Sequence, residues 1–187
     1  MSYSKDMSYC LVIIFISIII ELFVGSFLSK MDDELAILPG LLIVIPGTLA
    51  MRGNIYSAMG SRLGTTMHLG LIPKKFRLTK EFNLNIYSTL FLTLITATFL
   101  SSLATFSVYL LDESVSLISV FFKLLAIVMI SGICAGLILS FCGFLMTIFV
   151  SNRGIDPDNI LSPSLATIGD LITIMFLFMT ANFVLGV

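Results

Sequence analysis

Of the 187 residues, 58% are hydrophobic and 11% charged, with a net charge of −1. Soluble domains run near 45–50% apolar and about 25% charged, so a water-soluble fold of this size could not hide this surface, and lipid must be its solvent. A net charge near zero also speaks against a nucleic-acid partner.

The first apolar run covers roughly Cys10 to Leu28. Lys5 ahead of it gives it the look of a secretion signal, but it continues past a short apolar core, contains Glu21 and lacks a small-x-small cleavage site, so it reads as a retained first span. Lys30-Met31-Asp32-Asp33-Glu34 forms a charged turn after it. The second run, from Leu35 to Ile72, would reach about 57 Å as one α-helix against a hydrocarbon core of about 30 Å. Pro39, Pro46 and Gly47 invite kinks and Arg52-Gly53-Asn54 invites a break. The second span is therefore either discontinuous, lining a protein-buried or watery path, or a long tilted helix projecting into the cytoplasm.

The third span runs from about Leu84 to Leu111 and is closed by Asp112-Glu113. Val115 to Val150 is again too long for one simple span. It contains no turn signal between Phe122 and Ser140, which favours an interfacial lead-in followed by one span. Gly132 and Gly136 within it have small-xxx-small spacing suited to close helix packing. The fifth span extends from about Asn159 to Leu185. Cys10, Cys134 and Cys142 all sit in apolar runs, as small hydrophobes rather than disulfide partners.

Lys74, Lys75, Arg77, Lys80 and Arg153 fall on one side of this five-span arrangement and the acidic turns on the other. The positive-inside rule then puts the N-terminus in the cytoplasm and the C-terminus outside the cell membrane. The expected fold class is an all-α membrane protein: residues 1–187 form a single transmembrane domain of five helices, the second either broken or one long tilted helix.

Two acids, Glu21 and Asp170, lie within apolar spans. A charge at the bilayer centre costs about 2.5–3.5 kcal/mol on insertion scales, so it normally faces protein or a watery path. Thr167, Pro163 and Asn159 share the side of Asp170 at helical spacing, and Thr173 follows it. A second polar stripe, Asn54, Ser57, Ser61 and Thr65, occupies the second run. Facing one another, the two stripes would form an oxygen-lined path for a hard cation such as Mg²⁺, which dehydrates reluctantly. No soft ligand beside Asp170 invites copper or zinc. The hydroxyls of Ser57, Ser61 and Thr65 equally fit hydrogen bonds within the bundle, and Glu21 fits either a hydrogen-bonding partner or a path-lining acid. Asp156 and Asp158 suit the positive N-terminus of the fifth helix, while His68 and Arg62 suit the cytoplasmic interface.

Arg52-Gly53-Asn54 through Ser61-Arg62-Leu63-Gly64-Thr65-Thr66 resembles the Gly-Asn…Ser-Arg-Leu-x-Thr signature of the MgtE and solute carrier family 41 magnesium transporters. Gly154-Ile155-Asp156-Pro157-Asp158-Asn159-Ile160, Pro163 and Gly169-Asp170-Leu171-Ile172-Thr173 resemble that family's Asp-Pro-Asp-Asn…Pro…Gly-Asp-Leu motif. The family's transport unit has two five-helix halves, so the resemblance implies a homodimer with its pore near the two-fold axis. It further implies that Asp170 contacts hydrated Mg²⁺, with help from the backbone of Ala166, that Asn54 is the Asn of the Gly-Asn motif, and that Ser162 occupies a position that can carry Asn.

Met1 to Tyr9 is too short for a magnesium-sensing domain, so any such sensor is expected on a separate regulatory chain. The function these features imply is divalent cation transport, with Mg²⁺ as the transported ion and Asp156 and Asp158 drawing cations to the cytoplasmic mouth. The alternative is a non-transporting membrane scaffold or regulatory subunit, in which Asp170 would be dispensable and packing at Gly132 or Gly136 essential. An enzyme is not expected: no nucleophile accompanies Glu21 and Asp170 to support intramembrane hydrolysis.

Overall fold

The computed structural model describes residues 3–71, 80–111, 116–152 and 157–186. These form helices α1 (Tyr3–Leu28), α2 (Asp32–Ile37), α3 (Gly40–His68), α4 (Lys80–Leu111), α5 (Leu117–Asn152) and α6 (Pro157–Leu185). The basic residues Lys74, Lys75, Arg77 and Arg153 and the acids Asp112, Glu113 and Asp156 lie outside the described residues. Among the described residues, α1, α4, α5 and α6 are long and apolar enough to cross a membrane. The chain is thus a multi-pass membrane protein. The 29-residue α3 matches them in length, but its polar groups make it less apolar.

The expected break at Arg52-Gly53-Asn54 is absent, because α3 runs through these residues without interruption. Gly and Asn end helices readily in water, where freed backbone groups find new partners. At membrane depth a lost helical bond has no such replacement, so the helix persists. The chain breaks earlier, at Leu38, whose φ of −134° and ψ of 82° are non-helical. Leu38 precedes Pro39, and the proline ring drives the preceding residue out of the α region. The segment expected as a charged turn instead opens α2, with Asp32, Asp33 and Glu34 in its first turn, where carboxylates complement the helix dipole. Residues 117–152 form one continuous 36-residue helix rather than a separate lead-in and span.

Helix α6 packs against α1, α3 and α5, while α4 closes over α3 and α5. The interior divides into two apolar clusters. One gathers Leu41, Val44, Ile45, Leu124, Ile127, Ile174 and Leu177. The other gathers Tyr56, Met59, Leu63, Leu139, Phe144, Leu161 and Leu165. The stretch of chain between them carries buried polar residues from each long interior helix: Thr48 and Arg52 on α3, Thr93 on α4, Ser131 on α5 and Thr173 on α6. Large apolar side chains such as Phe15, Leu22, Phe99, Phe106 and Phe183 are exposed, as lipid-facing positions should be.

Helices α3 and α6 approach most closely at Gly60, where an added Cβ would lie 3.2 Å from the backbone carbon of Leu161 and the nitrogen of Ser162. Such an approach suits membrane helices, which associate through close packing rather than a hydrophobic drive. Gly60→Val is therefore expected to destabilise the protein by about 1–3 kcal/mol through overpacking. Gly25→Ala, which meets nothing within 4 Å, should leave stability intact. Thermal unfolding of the two variants in detergent checks the contrast.

Candidate cation-binding site

Asp170 lies midway along α6 and is half-buried. Its Oδ1 is fully buried and has no hydrogen-bond partner, although a buried carboxylate oxygen normally has one. The carboxyl of Glu21, from α1, stands within hydrogen-bonding reach of the Asp170 carboxyl. One turn away along the same seam, Ser17 Oγ and Thr167 Oγ1 are 2.8 Å apart. The paired spacings, Ser17 to Glu21 and Thr167 to Asp170, hold one face of α1 against one face of α6. Thr167 Oγ1 also donates to the Pro163 carbonyl at 3.0 Å, so its hydroxyl is engaged in the seam.

On the side toward α3, Tyr56 is wholly buried. Its Cδ2 lies 2.7 Å from where a Cβ on Gly169 would stand, so the glycine beside Asp170 admits the ring. The Tyr56 hydroxyl accepts a 3.0 Å hydrogen bond from Arg52 Nη1, which also donates to the Gly132 carbonyl at 2.7 Å. Arg52 and Tyr56 are thus hydrogen-bonded on α3, with Gly132 of α5 at one end and Gly169, the neighbour of Asp170 on α6, against the phenol ring at the other.

Among the described residues, the α3 stripe reaches α6 at Ser162, which lies outside the Asp170 stripe. The hydroxyls of Ser57 and Ser162 hydrogen-bond across α3 and α6. Ser61 and Thr65 turn instead toward α4, lining with Arg62, Glu81, Asn85 and Ser88 an open cavity of about 330 Å³. Asn54 is exposed on the uncovered face of α3, and Ala166 is half-buried one turn before Asp170. Asp156, and the side chains of Asp158 and Asn159, fall outside what is described. Pro163 has no N–H, which leaves the Asn159 carbonyl without its helical donor. Of the Gly132/Gly136 pair, Gly132 is the close approach: a Cβ there would overlap the Arg52 guanidinium and crowd Thr93, whereas one on Gly136 would make ordinary contacts with Thr89 and Tyr56.

Among the described residues no three His, Cys, Asp or Glu side chains converge as a metal cage. The oxygens at hand are two carboxyls, hydroxyls and helix carbonyls. This set suits a hard cation that keeps part of its water shell. Sequence reasoning singled out Asp170, Glu21 and Thr167 and missed the Arg52–Tyr56 pair. The signal for it was present, since a charged residue within a span marks a special environment.

A family model, MgtE, described as a divalent cation transporter, matches residues 45–180. Asn54, Ser162, Ala166, Thr167 and Asp170 fall inside that range and Glu21 outside it. Solute carrier family 41 member 2 from Homo sapiens and from Macaca fascicularis are each 29% identical to this chain over 149 residues, covering 73% of it and 24% of theirs. The Xenopus laevis protein of that name is 30% identical over the same shares. The chain spans about a quarter of the length of the curated relatives it matches.

The α1–α6 seam depends on few polar contacts. Ser17→Ala, which removes the partner of Thr167, is expected to cost about 0.6 kcal/mol, the typical worth of an interhelical hydrogen bond in a membrane. Unfolding by titrated denaturing detergent measures that loss.

Proposed function

The chain belongs to the MgtE family of divalent cation transporters, and from that premise we propose that it forms a homodimer that passes hydrated Mg²⁺ across the cell membrane between paired Asp170 carboxylates. The observation that carries the reading is the Asp170 carboxyl itself, half-buried midway along a membrane-spanning helix with one oxygen lacking a hydrogen-bond partner. The surrounding hydroxyls and carbonyls are hard oxygen donors, as Mg²⁺ prefers.

The dimer reading draws on the uncovered face of α3. Ala50, Asn54 and Ala58 are exposed there, and together they make a small surface with one amide. Lipid does not satisfy the amide of Asn54, whereas a second helix face does. Two-fold pairing through this face would bring two copies of Asn54 and of the neighbouring Asp170 helix to one axis. Asp156, Asp158 and Asn159 would then stand at the cytoplasmic entrance, and Ser162, Ala166 and Thr167 along the route to Asp170. In this topology α3 is the second of five spans, the N-terminus is cytoplasmic and the C-terminus outside.

Magnesium influx into proteoliposomes tests the proposal. Wild-type protein is expected to admit Mg²⁺, and Asp170→Ala, eluting as the same dimer, should fall to the rate of protein-free vesicles. Equal flux through both proteins would remove Asp170 from the path. A wild type that moves no divalent cation would overturn the transport reading and leave the scaffold alternative.

A further inference from the structure

The last two turns of α3 and the first turns of α4 part around an open cavity of about 330 Å³, a volume in the range of small-molecule sites. It stands at one end of the spans, where the headgroups of a bilayer stand. The chain joining the two helices carries Lys74, Lys75 and Arg77, so in the proposed topology this is the cytoplasmic leaflet.

The cavity holds one charge of each sign. Arg62 lines it from α3 and Glu81 from α4, and among the described residues the two form no ion pair with each other. The neutral groups beside them divide by role. Thr65 Oγ1 donates to the Ser61 carbonyl at 3.0 Å, and Thr66 Oγ1 donates to the Arg62 carbonyl at 2.9 Å. With their protons committed inside α3, both hydroxyls can only accept, as can the Glu81 carboxylate. Asn85 Nδ2 gives one N–H to the Glu81 carbonyl at 2.9 Å and keeps a second, which joins the Arg62 guanidinium as a donor. A ligand that answers both sets is net neutral. It carries a primary ammonium, with three donors and no acceptor, close to a phosphate, whose oxygens suit a guanidinium.

The carrier of those two groups is indicated by what lies beyond the cavity. The α4 face that lines it continues along the span at helical spacing from Leu84 through Ser88 to Phe91 and Ile95. Leu84, Phe91 and Ile95 are all exposed. Leu84 to Ile95 covers about 16 Å of helix, close to half of a hydrocarbon core of about 30 Å. That is the depth of one leaflet, and it offers an apolar track leading out of a polar cavity. We propose that the α3–α4 cavity is a binding site for an aminophospholipid of the phosphatidylethanolamine class. Its phosphate rests on Arg62, its ammonium on Glu81, Thr65 and Thr66, and an acyl chain along Leu84, Phe91 and Ile95. The site shares no lining residue with the Asp170 site and does not depend on the transport reading.

Native mass spectrometry of the purified protein in detergent tests this, with phosphatidylethanolamine, phosphatidylcholine and phosphatidylglycerol of matched chain length as probes. Wild type is expected to bind phosphatidylethanolamine about tenfold more tightly than the other two. The trimethylated nitrogen of phosphatidylcholine has no N–H, and phosphatidylglycerol brings no cation to Glu81. Glu81→Gln should lose that preference, whereas Arg62→Gln should weaken all three lipids by about tenfold. If Glu81→Gln is recovered unfolded, Thr65→Val, which removes one acceptor at an exposed position, should lower affinity for phosphatidylethanolamine and leave phosphatidylcholine unchanged. Equal affinity for the three lipids, tightest binding of phosphatidylglycerol, or an undiminished preference in the folded Glu81→Gln protein overturns the proposal. So does soluble phosphoethanolamine that displaces the lipid at equal concentration, because the affinity would then belong to a free phosphate ester.

Discussion

A guanidinium and two carboxyls placed at the depth of the hydrocarbon core are the costliest feature of this chain, and the helix packing is arranged around them. Each such charge costs about 2.5–3.5 kcal/mol at the bilayer centre on insertion scales, unless protein or water takes the place of bulk solvent. Arg52 finds the Gly132 carbonyl and the Tyr56 hydroxyl. Glu21 and Asp170 stand close across α1 and α6, where a hydrogen bond between them requires one carboxyl to carry a proton. The glycines at 132 and 169 are where they must be, one admitting the guanidinium and the other the phenol ring. The two apolar clusters hold the helices above and below this layer.

Within the layer the satisfaction is uneven. Thr167 is engaged with Ser17 and the Pro163 carbonyl, and Ser57 with Ser162. Asp170 Oδ1 is buried without a hydrogen-bond partner, and so are Thr48 Oγ1 and Thr173 Oγ1. What sets Asp170 apart from those two is that its group is a carboxyl, the costlier one to place at this depth. In a member of a divalent cation transporter family, that carboxyl is the group to which the proposed function assigns the ion.

Much of this was legible in the sequence. Apolar runs bounded by charge clusters located the long helices, although α1 starts at Tyr3, well ahead of Cys10, and Leu35 belongs to the separate helix α2; the depth of Asp170 in such a run marked it as exceptional. The errors share one cause, which is reading membrane segments with rules learned in water. Arg52-Gly53-Asn54 looks like a turn because Gly and Asn release helices where solvent can replace the lost bonds, and lipid offers no replacement. The real break, at Leu38, is enforced by the steric demand of Pro39, which acts in any solvent. The same misreading hid Arg52 as a buried charge, and with it Tyr56, whose partner is four residues earlier on the same helix. That Ser61 and Thr65 turn toward α4 while Ser57 meets α6 depends on how α3 is rotated between its neighbours, which periodicity alone does not fix.

The central claim is that a hydrated divalent cation rests against Asp170 in the dimer. The most direct measurement is an anomalous-difference map from crystals of the protein equilibrated with Mn²⁺ as a scattering substitute for Mg²⁺. The account predicts a peak beside the Asp170 carboxylates of two protomers, close to their two-fold axis. Strong Mn²⁺ density elsewhere in the membrane region, with none beside Asp170, would contradict it.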